Sequence, residues 1–193
     1  MLRYLDPLVS GEIFHVYNRA IGNELLFKTK DNYKYFLKKF FQHTNSICDV
    51  YCYCLLPNHF HFLLRIKDEK DLSGFRNLKD FSQVFSNFFN GYTKAFNEMY
   101  NRKGALFMRP FKRIQIKNDS YFTQLIHYVH ANPVHHGYTK NIESWEFSSY
   151  TSILNNTCSG LLQKEVINWF GNTEQFMTFH HQPIYRRQDW EFE

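Results

Sequence analysis

The sequence predicts an α+β domain built on a mainly antiparallel sheet, and three observations predict it. Short runs at 13–19, 48–56 and 59–66 are rich in β-branched, aromatic and other apolar residues and read as strands. Segments at 30–42, 72–100 and 121–132 carry their apolar residues at helical spacing instead. With 21 Phe and 13 Tyr among 193 residues, the chain has enough aromatic bulk for a substantial core despite its modest aliphatic content.

Ile13 to Arg19 alternates and forms the first strand, closed by a turn at Ile21-Gly22-Asn23. Lys30 to Gln42 places Tyr33, Phe36, Leu37, Phe40 and Phe41 on one helical side. Cys48 to Leu56 and His59 to Ile66 flank Pro57-Asn58 and read as a hairpin. A long helix from Leu72 to about Tyr100 presents Leu78, Phe81, Phe85, Phe88, Tyr92, Phe96 and Met99, with Gly91 as a point of bending. Leu106 to Ile116 is the fourth strand, and Pro110 confines part of it to an edge or a bulge. Asp119 or Ser120 caps a helix from Tyr121 to Asn132, ended by Pro133, whose buried stripe is Phe122, Leu125, Ile126 and Val129.

The resulting order, βαββαβ and then a helix, predicts a ferredoxin-like, RRM-like sheet of four to five strands with helices on one face and a C-terminal helix. One domain is expected over 1–193, with its core at about 13–150 and a C-terminal extension at 151–193. That extension holds a short helix around Lys164 to Phe170 and a polar end from Arg186 to Glu193.

A formal charge of +5 is a mild excess that suits a polyanionic partner without demanding one. The chain shows no leader-like start and no apolar run long enough to span a bilayer, so a cytoplasmic location with reduced thiols and no membrane partner is expected. Cys48, Cys52 and Cys54 are read as sharing one strand face near two histidines. Without a Cys-x-x-Cys spacing they read as small buried residues rather than zinc ligands.

Chemistry concentrates at His59-Phe60-His61. Residues i and i+2 of a strand share a face about 6–7 Å apart, so both imidazoles reach one divalent ion while Phe60, Phe62, Leu64 and Ile66 anchor the other side. The alternative is a pair of histidines that merely hydrogen-bond. Tyr128 and Asn132 lie one helical turn apart on the flank of the last helix. Among thirteen tyrosines only Tyr128 has such an amide partner in a run Asn132-Pro133-Val134. A phenol of pKa about 10 is a poor nucleophile at neutral pH unless a cation or base stands beside it.

Arg109, Lys112 and Arg113 on the fourth strand, with Arg19 and Lys79, are candidates for phosphate contacts. His130 and His127 are within reach of DNA or the site, although solvation on the helix surface is their default role. His15 is read as a hydrogen-bonding or DNA-facing residue rather than a ligand, and His135-His136 as no ligand pair, because neighbours in sequence rarely converge on one ion.

Leu56-Pro57-Asn58-His59-Phe60-His61, Leu106-Phe107 before a basic strand, Tyr128 with Asn132-Pro133-Val134, and Trp145 with Ser148-Ser149-Tyr150 together resemble the single-tyrosine HUH transposases. Among these the REP-associated tyrosine transposases and their insertion-sequence relatives are most similar, over about Ile13 to Tyr150, including Phe14-His15-Val16-Tyr17-Asn18-Arg19. The resemblance implies that His59 and His61 are metal ligands, Asn132 a third ligand and Tyr128 the nucleophile. Two imidazoles and an amide oxygen suit Mg²⁺ or Mn²⁺ better than a closed zinc site. It further implies attack on single-stranded or hairpin DNA through a 5′-phosphotyrosine link, by a monomer or a homodimer. A replication-initiator or relaxase-like nickase and a domesticated, non-catalytic DNA-binding relative are the alternatives.

Overall fold

Strand β1 (Ile13–Arg19), helix α1 (Lys30–Thr44), strands β2 (Cys48–Leu56) and β3 (His59–Ile66), helix α2 (Leu78–Met99), strand β4 (Lys112–Ile116) and helix α3 (Asp119–His135) follow in the order expected from the pattern. Helices α4 (Tyr150–Asn155), α5 (Gln163–Trp169) and α6 (Thr173–His180) come after them. The computed structural model describes residues 5–72 and 78–183, without the side chains of residues 78–80. The four strands pair in the order β2-β3-β1-β4, antiparallel throughout, which is the ferredoxin-like arrangement.

Strand alternation divides the sheet into two faces. Phe60 and Phe62 of β3 turn toward α1 and α2, where Phe40 stacks on Phe62 at 3.8 Å and Phe36 meets Phe88 and Tyr92 edge-on, each at 4.9 Å. Ring pairs of this kind add about 0.5–1.5 kcal/mol each beyond the area they bury. His59, His61 and Leu63 turn the other way, onto the face that α3 covers. Phe122 anchors that helix by standing edge-on to Tyr51 at 4.9 Å.

Both sheet edges are occupied. Leu55 N–H donates to Phe147 O and Ser149 N–H to Tyr53 O, so residues 147–149 lie along β2, joined lower down by Leu162 N–H to Val50 O. On the far edge Leu5 bridges Arg113, and Asp6 N–H donates to Arg113 O at 3.1 Å. Bare edges would invite pairing with other chains.

The structure departs from the pattern in several places. Strand β4 starts at Lys112 rather than Leu106, because Pro110 has no N–H for the ladder; only Phe107 bridges Ala20 before it. Helix α3 is capped by Asn118, whose Oδ1 accepts from Ser120 N–H at 2.9 Å, not by Asp119 or Ser120. It also runs through Pro133 to His135, and His136 N–H closes it onto Asn132 O at 3.0 Å. A proline in the last turn forfeits only one helical hydrogen bond, so the helix survives it. Helix α2 continues through Gly91 as one element, while part of its expected start, at 73–77, lies outside the described residues. A β-bulge between Val50 and Cys52 sets Cys48 opposite Ile66 and Cys52 and Cys54 opposite Leu63 and His61. Cys48 therefore faces away from the other two. Helix α6 is an element the pattern does not announce, and the polar end at Arg186 to Glu193 lies outside the described residues. Among the described residues no helix is long and apolar enough to cross a membrane.

Candidate active site

His59 and His61 begin β3 and share the face under α3, where β1 contributes Tyr17 opposite His61 and Arg19 opposite His59. Their ring centroids are 5.3 Å apart at an interplanar angle of 89°. With a metal–nitrogen bond of about 2.1 Å, two imidazoles on one ion at roughly tetrahedral angles place their centroids about 5 Å apart. The pair has that spacing. Both rings are buried, at 9% and 1% exposure.

Each ring is held through Nδ1. His59 Nδ1 lies 2.7 Å from Asn58 Oδ1, and His61 Nδ1 lies 2.9 Å from His15 Nε2. His61 Nε2 is left buried with no hydrogen-bond partner among the described residues. Burial first, and then the neighbouring imidazoles of His15, His59 and His136, hold the His61 pKa well below its ordinary value; burial pushes His15 down to about 3. Both rings are therefore neutral at pH 7, the form in which an imidazole nitrogen has a lone pair to offer.

Helix α3 brings two further groups onto the same face. The Tyr128 ring stands edge-on to His61 at 5.8 Å, and one turn later Asn132 Nδ2 donates to Tyr128 O at 2.9 Å. Because the amide NH₂ is spent on its own helix, Asn132 Oδ1 is the free end; it is fully buried with no partner among the described residues. One turn further, His136 meets His59 at 4.9 Å. Asn132 thus sits between the two turns that touch the histidine pair. A buried imidazole nitrogen and a buried amide oxygen, both unsatisfied, fit a divalent cation of intermediate hardness. Among the described residues no three His, Cys, Asp or Glu side chains cluster at metal-ligand dimensions, so such an ion would need Asn132 or substrate oxygens to complete its shell.

The basic candidates separate. Arg19 and Lys112 share the histidine face, Lys112 pairing with Tyr17 across β1. Arg113 falls on the other face and is tied down, its Nε donating to Asp6 O at 2.7 Å and its guanidinium lying over Phe111. Arg109 is exposed and donates to Asn90 Oδ1 on α2 at 3.2 Å, away from the histidines. The Lys79 side chain lies outside the described residues. His130 is not a DNA-facing residue: it is fully buried, with both nitrogens engaged by His180 and Ser149. His127 is buried as well, against His180 and Phe179.

Two residues of this face escape the sequence pattern. Tyr17 stacks on His15 at 4.8 Å and on His61 at 5.7 Å, which strand alternation from His15 is able to reveal. His136 continues the stripe Tyr128, Asn132, and a reading of Pro133 as a terminator hides it.

A ferredoxin-like sheet whose central strand carries His-x-His, faced by a helix bearing tyrosine and asparagine one turn apart, is the layout that the resemblance to the single-tyrosine HUH transposases implies. Comparison with known proteins points to the same group. A curated protein of Haemophilus influenzae named "Putative REP-associated tyrosine transposase" is 24% identical over 130 residues, covering 64% of this chain and 73% of that protein. The solved structure of a REP-associated tyrosine transposase bound to a REP hairpin matches the fold with a TM-score of 0.65 at 18% identity, over 80% of this chain and 86% of that one. No family model matches the chain. By sequence and by fold, the chain is similar to the REP-associated tyrosine transposases, the group its motifs resemble.

Proposed function

We propose that this chain is a metal-dependent tyrosine transposase that cleaves and rejoins single-stranded or hairpin DNA, with Tyr128 as nucleophile. The observation that carries the reading is the Tyr128 ring standing against His61 on one buried face, with Asn132 one helical turn on, and His61 Nε2 and Asn132 Oδ1 both buried and unsatisfied among the described residues. Both comparisons point to transposases rather than to replication initiators or relaxases. The relative of known structure is bound to a REP hairpin, which makes a DNA hairpin the substrate class to test first.

In this reading His59, His61 and Asn132 would hold Mg²⁺ or Mn²⁺, which when bound would polarise the scissile phosphate and offset the negative charge that develops on it. Tyr128 Oη loses its proton to water and forms the new bond to phosphorus. The bond from phosphorus to the 3′ oxygen of the upstream strand breaks, and that oxygen takes a proton from water and leaves as a 3′-hydroxyl. The phosphate is then bonded to Tyr128 Oη while keeping its bond to the 5′ oxygen of the downstream strand. A 3′-hydroxyl from another strand end can then reverse the step without ATP, since no phosphoester has been lost to water. Burial of the tyrosine against β3 limits its freedom, so little orientation is lost on the way to attack. Arg19 and Lys112 border the same face and suit the flanking phosphates.

The test uses the purified chain, Mn²⁺ and 3′-labelled hairpin DNA made from repeats flanking its gene. A denaturant-resistant protein–DNA adduct that disappears in Tyr128→Phe supports the proposal. An adduct that persists in Tyr128→Phe rules out the assigned nucleophile.

A further inference from the structure

We propose that His15 is a positioning residue for the metal site, accepting a hydrogen bond from His61 Nδ1–H and so presenting an unprotonated Nε2 to the ion. This deepens the metal-dependent reading above and rests on it. His15 and Tyr17 lie on the same face of β1; Tyr17 pairs directly with His61, and His15 pairs with Leu63. The imidazole at position 15 therefore reaches His61 diagonally, a separation that long and aromatic side chains span. Its Nε2 lies 2.9 Å from His61 Nδ1, and both residues are almost wholly buried, at 0% and 1% exposure.

The hydrogen bond has two possible polarities. If His15 Nε2–H were the donor, His61 would carry its proton on Nε2. Hydrogen bonding within the protein does not choose between them, because each polarity leaves one buried ring N–H to be accounted for, on His61 Nε2 or on His15 Nδ1. Metal ligation does choose: an ion held at His61 Nε2 needs a lone pair there, which requires His61 Nδ1–H donating to His15 Nε2.

Tyr17 locks the geometry. Its ring is nearly parallel to both imidazoles, at 24° to His15 and 18° to His61, so neither ring turns without breaking a stack. His59 is oriented by a different device: its Nδ1–H donates to Asn58 Oδ1 in the turn before β3. The two ligands thus lean on two supporters from two chain segments. An imidazole supporter, unlike a carboxylate, adds no negative charge beside the ligand, so more of the ion's charge is left for phosphate.

The experiment measures Mn²⁺ binding to the full chain without DNA, by electron paramagnetic resonance of the free ion, in wild type, His15→Phe, His15→Gln and His61→Ala. Phe keeps the ring stack and removes the acceptor, whereas Gln keeps an acceptor at the reach of Nε2. His15→Phe is expected to weaken Mn²⁺ binding by about 10–100-fold, as loss of an outer-shell partner does. His15→Gln is expected to recover most of the affinity. In cleavage assays the His15→Phe defect should appear in the Mn²⁺ concentration needed for half-maximal rate, with kcat approached at saturating Mn²⁺. Wild-type affinity in His15→Phe alongside abolished binding in His61→Ala overturns the role of His15 alone. Undiminished binding in His61→Ala overturns the metal reading itself. Long-range ¹H–¹⁵N spectra of the wild-type imidazoles test the same point without any substitution: a proton on His61 Nδ1 supports the inference, and a proton on Nε2 overturns it.

Discussion

His130 Nδ1 lies 2.9 Å from His180 Nε2, and this hydrogen bond between α3 and α6 has only one polarity. His180 Nδ1 is 2.7 Å from Phe176 O, a carbonyl that can only accept, so Nδ1 carries the proton and Nε2 is left as an acceptor. His130 must then donate from Nδ1, and its Nε2 accepts the hydroxyl proton of Ser149 at 2.8 Å. Ser149 Oγ in turn accepts Tyr53 N–H at 2.9 Å. A buried chain of hydrogen bonds thus links the edge of β2, the tyrosine helix and α6.

Because that chain holds α3 from behind, His130→Ala is expected to lower unfolding stability by about 3 kcal/mol, combining a cavity with unpaired polar groups. DNA affinity per folded molecule should stay within about two-fold, since the ring faces away from the histidine pair. Urea unfolding followed by circular dichroism, with fluorescence anisotropy on hairpin DNA at 10 °C, checks both. A large drop in affinity in a variant that folds normally would restore His130 to the DNA interface.

Acid should destabilise the fold. Burial pushes His180 down to about 3 and His127 to about 4, whereas both titrate near 6.5 when unfolded. Above about pH 6.5 both are neutral in either state and pH has no effect through them. Below it the unfolded chain takes up protons that the native one refuses, so stability falls as pH falls toward the folded values. At pH 5 the loss is about 2 kcal/mol for each group of this kind. Urea midpoints at pH 7 and pH 5 measure it, and equal midpoints contradict the buried neutral rings.

Arg19→Ala and Lys112→Ala should each weaken hairpin binding and reduce the slope of log K against log salt by about 0.7–0.9 for each phosphate no longer neutralised. Arg113→Ala should leave that slope unchanged and lower stability instead, because its guanidinium is committed to Asp6 and Phe111. Titrations at several salt concentrations separate the two behaviours.

His59→Ala and Asn132→Ala are expected to cut cleavage far more than they cut binding of hairpin DNA. For Asn132→Ala, raising Mn²⁺ should recover part of the rate, since the proposed site would lose only one of its three protein ligands. Chelation of the wild-type protein should stop cleavage and leave a DNA complex visible on native gels. Full cleavage in the chelated protein would remove the ion from the reaction.

Much of this architecture is legible in the string of residues because period-2 and period-3.6 patterns are local. The apolar runs Ile13–Arg19, Cys48–Leu56 and His59–Ile66 match the bounds of the three strands. Strand alternation puts His59 and His61 on one face, and helical spacing puts Tyr128 and Asn132 on another. Position-specific chain chemistry is harder to read. Pro133 looks like a stop signal, yet in the last turn it costs one hydrogen bond, and that resemblance to a terminator hides His136. The bulge in β2 leaves no mark in composition, although it flips Cys48 to the opposite face.

What no local pattern carries is which faces meet. His15 finds His61, and His130 finds His180, across separations of 46 and 50 residues, through strand register and helix docking. Those pairings depend on the packing of β1 against β3 and of α6 against α3, where burial removes water and makes an unsatisfied polar nitrogen costly. The residue types and spacings announced the chemistry; the closing of the sheet beneath α3 set which groups His61 and His130 meet.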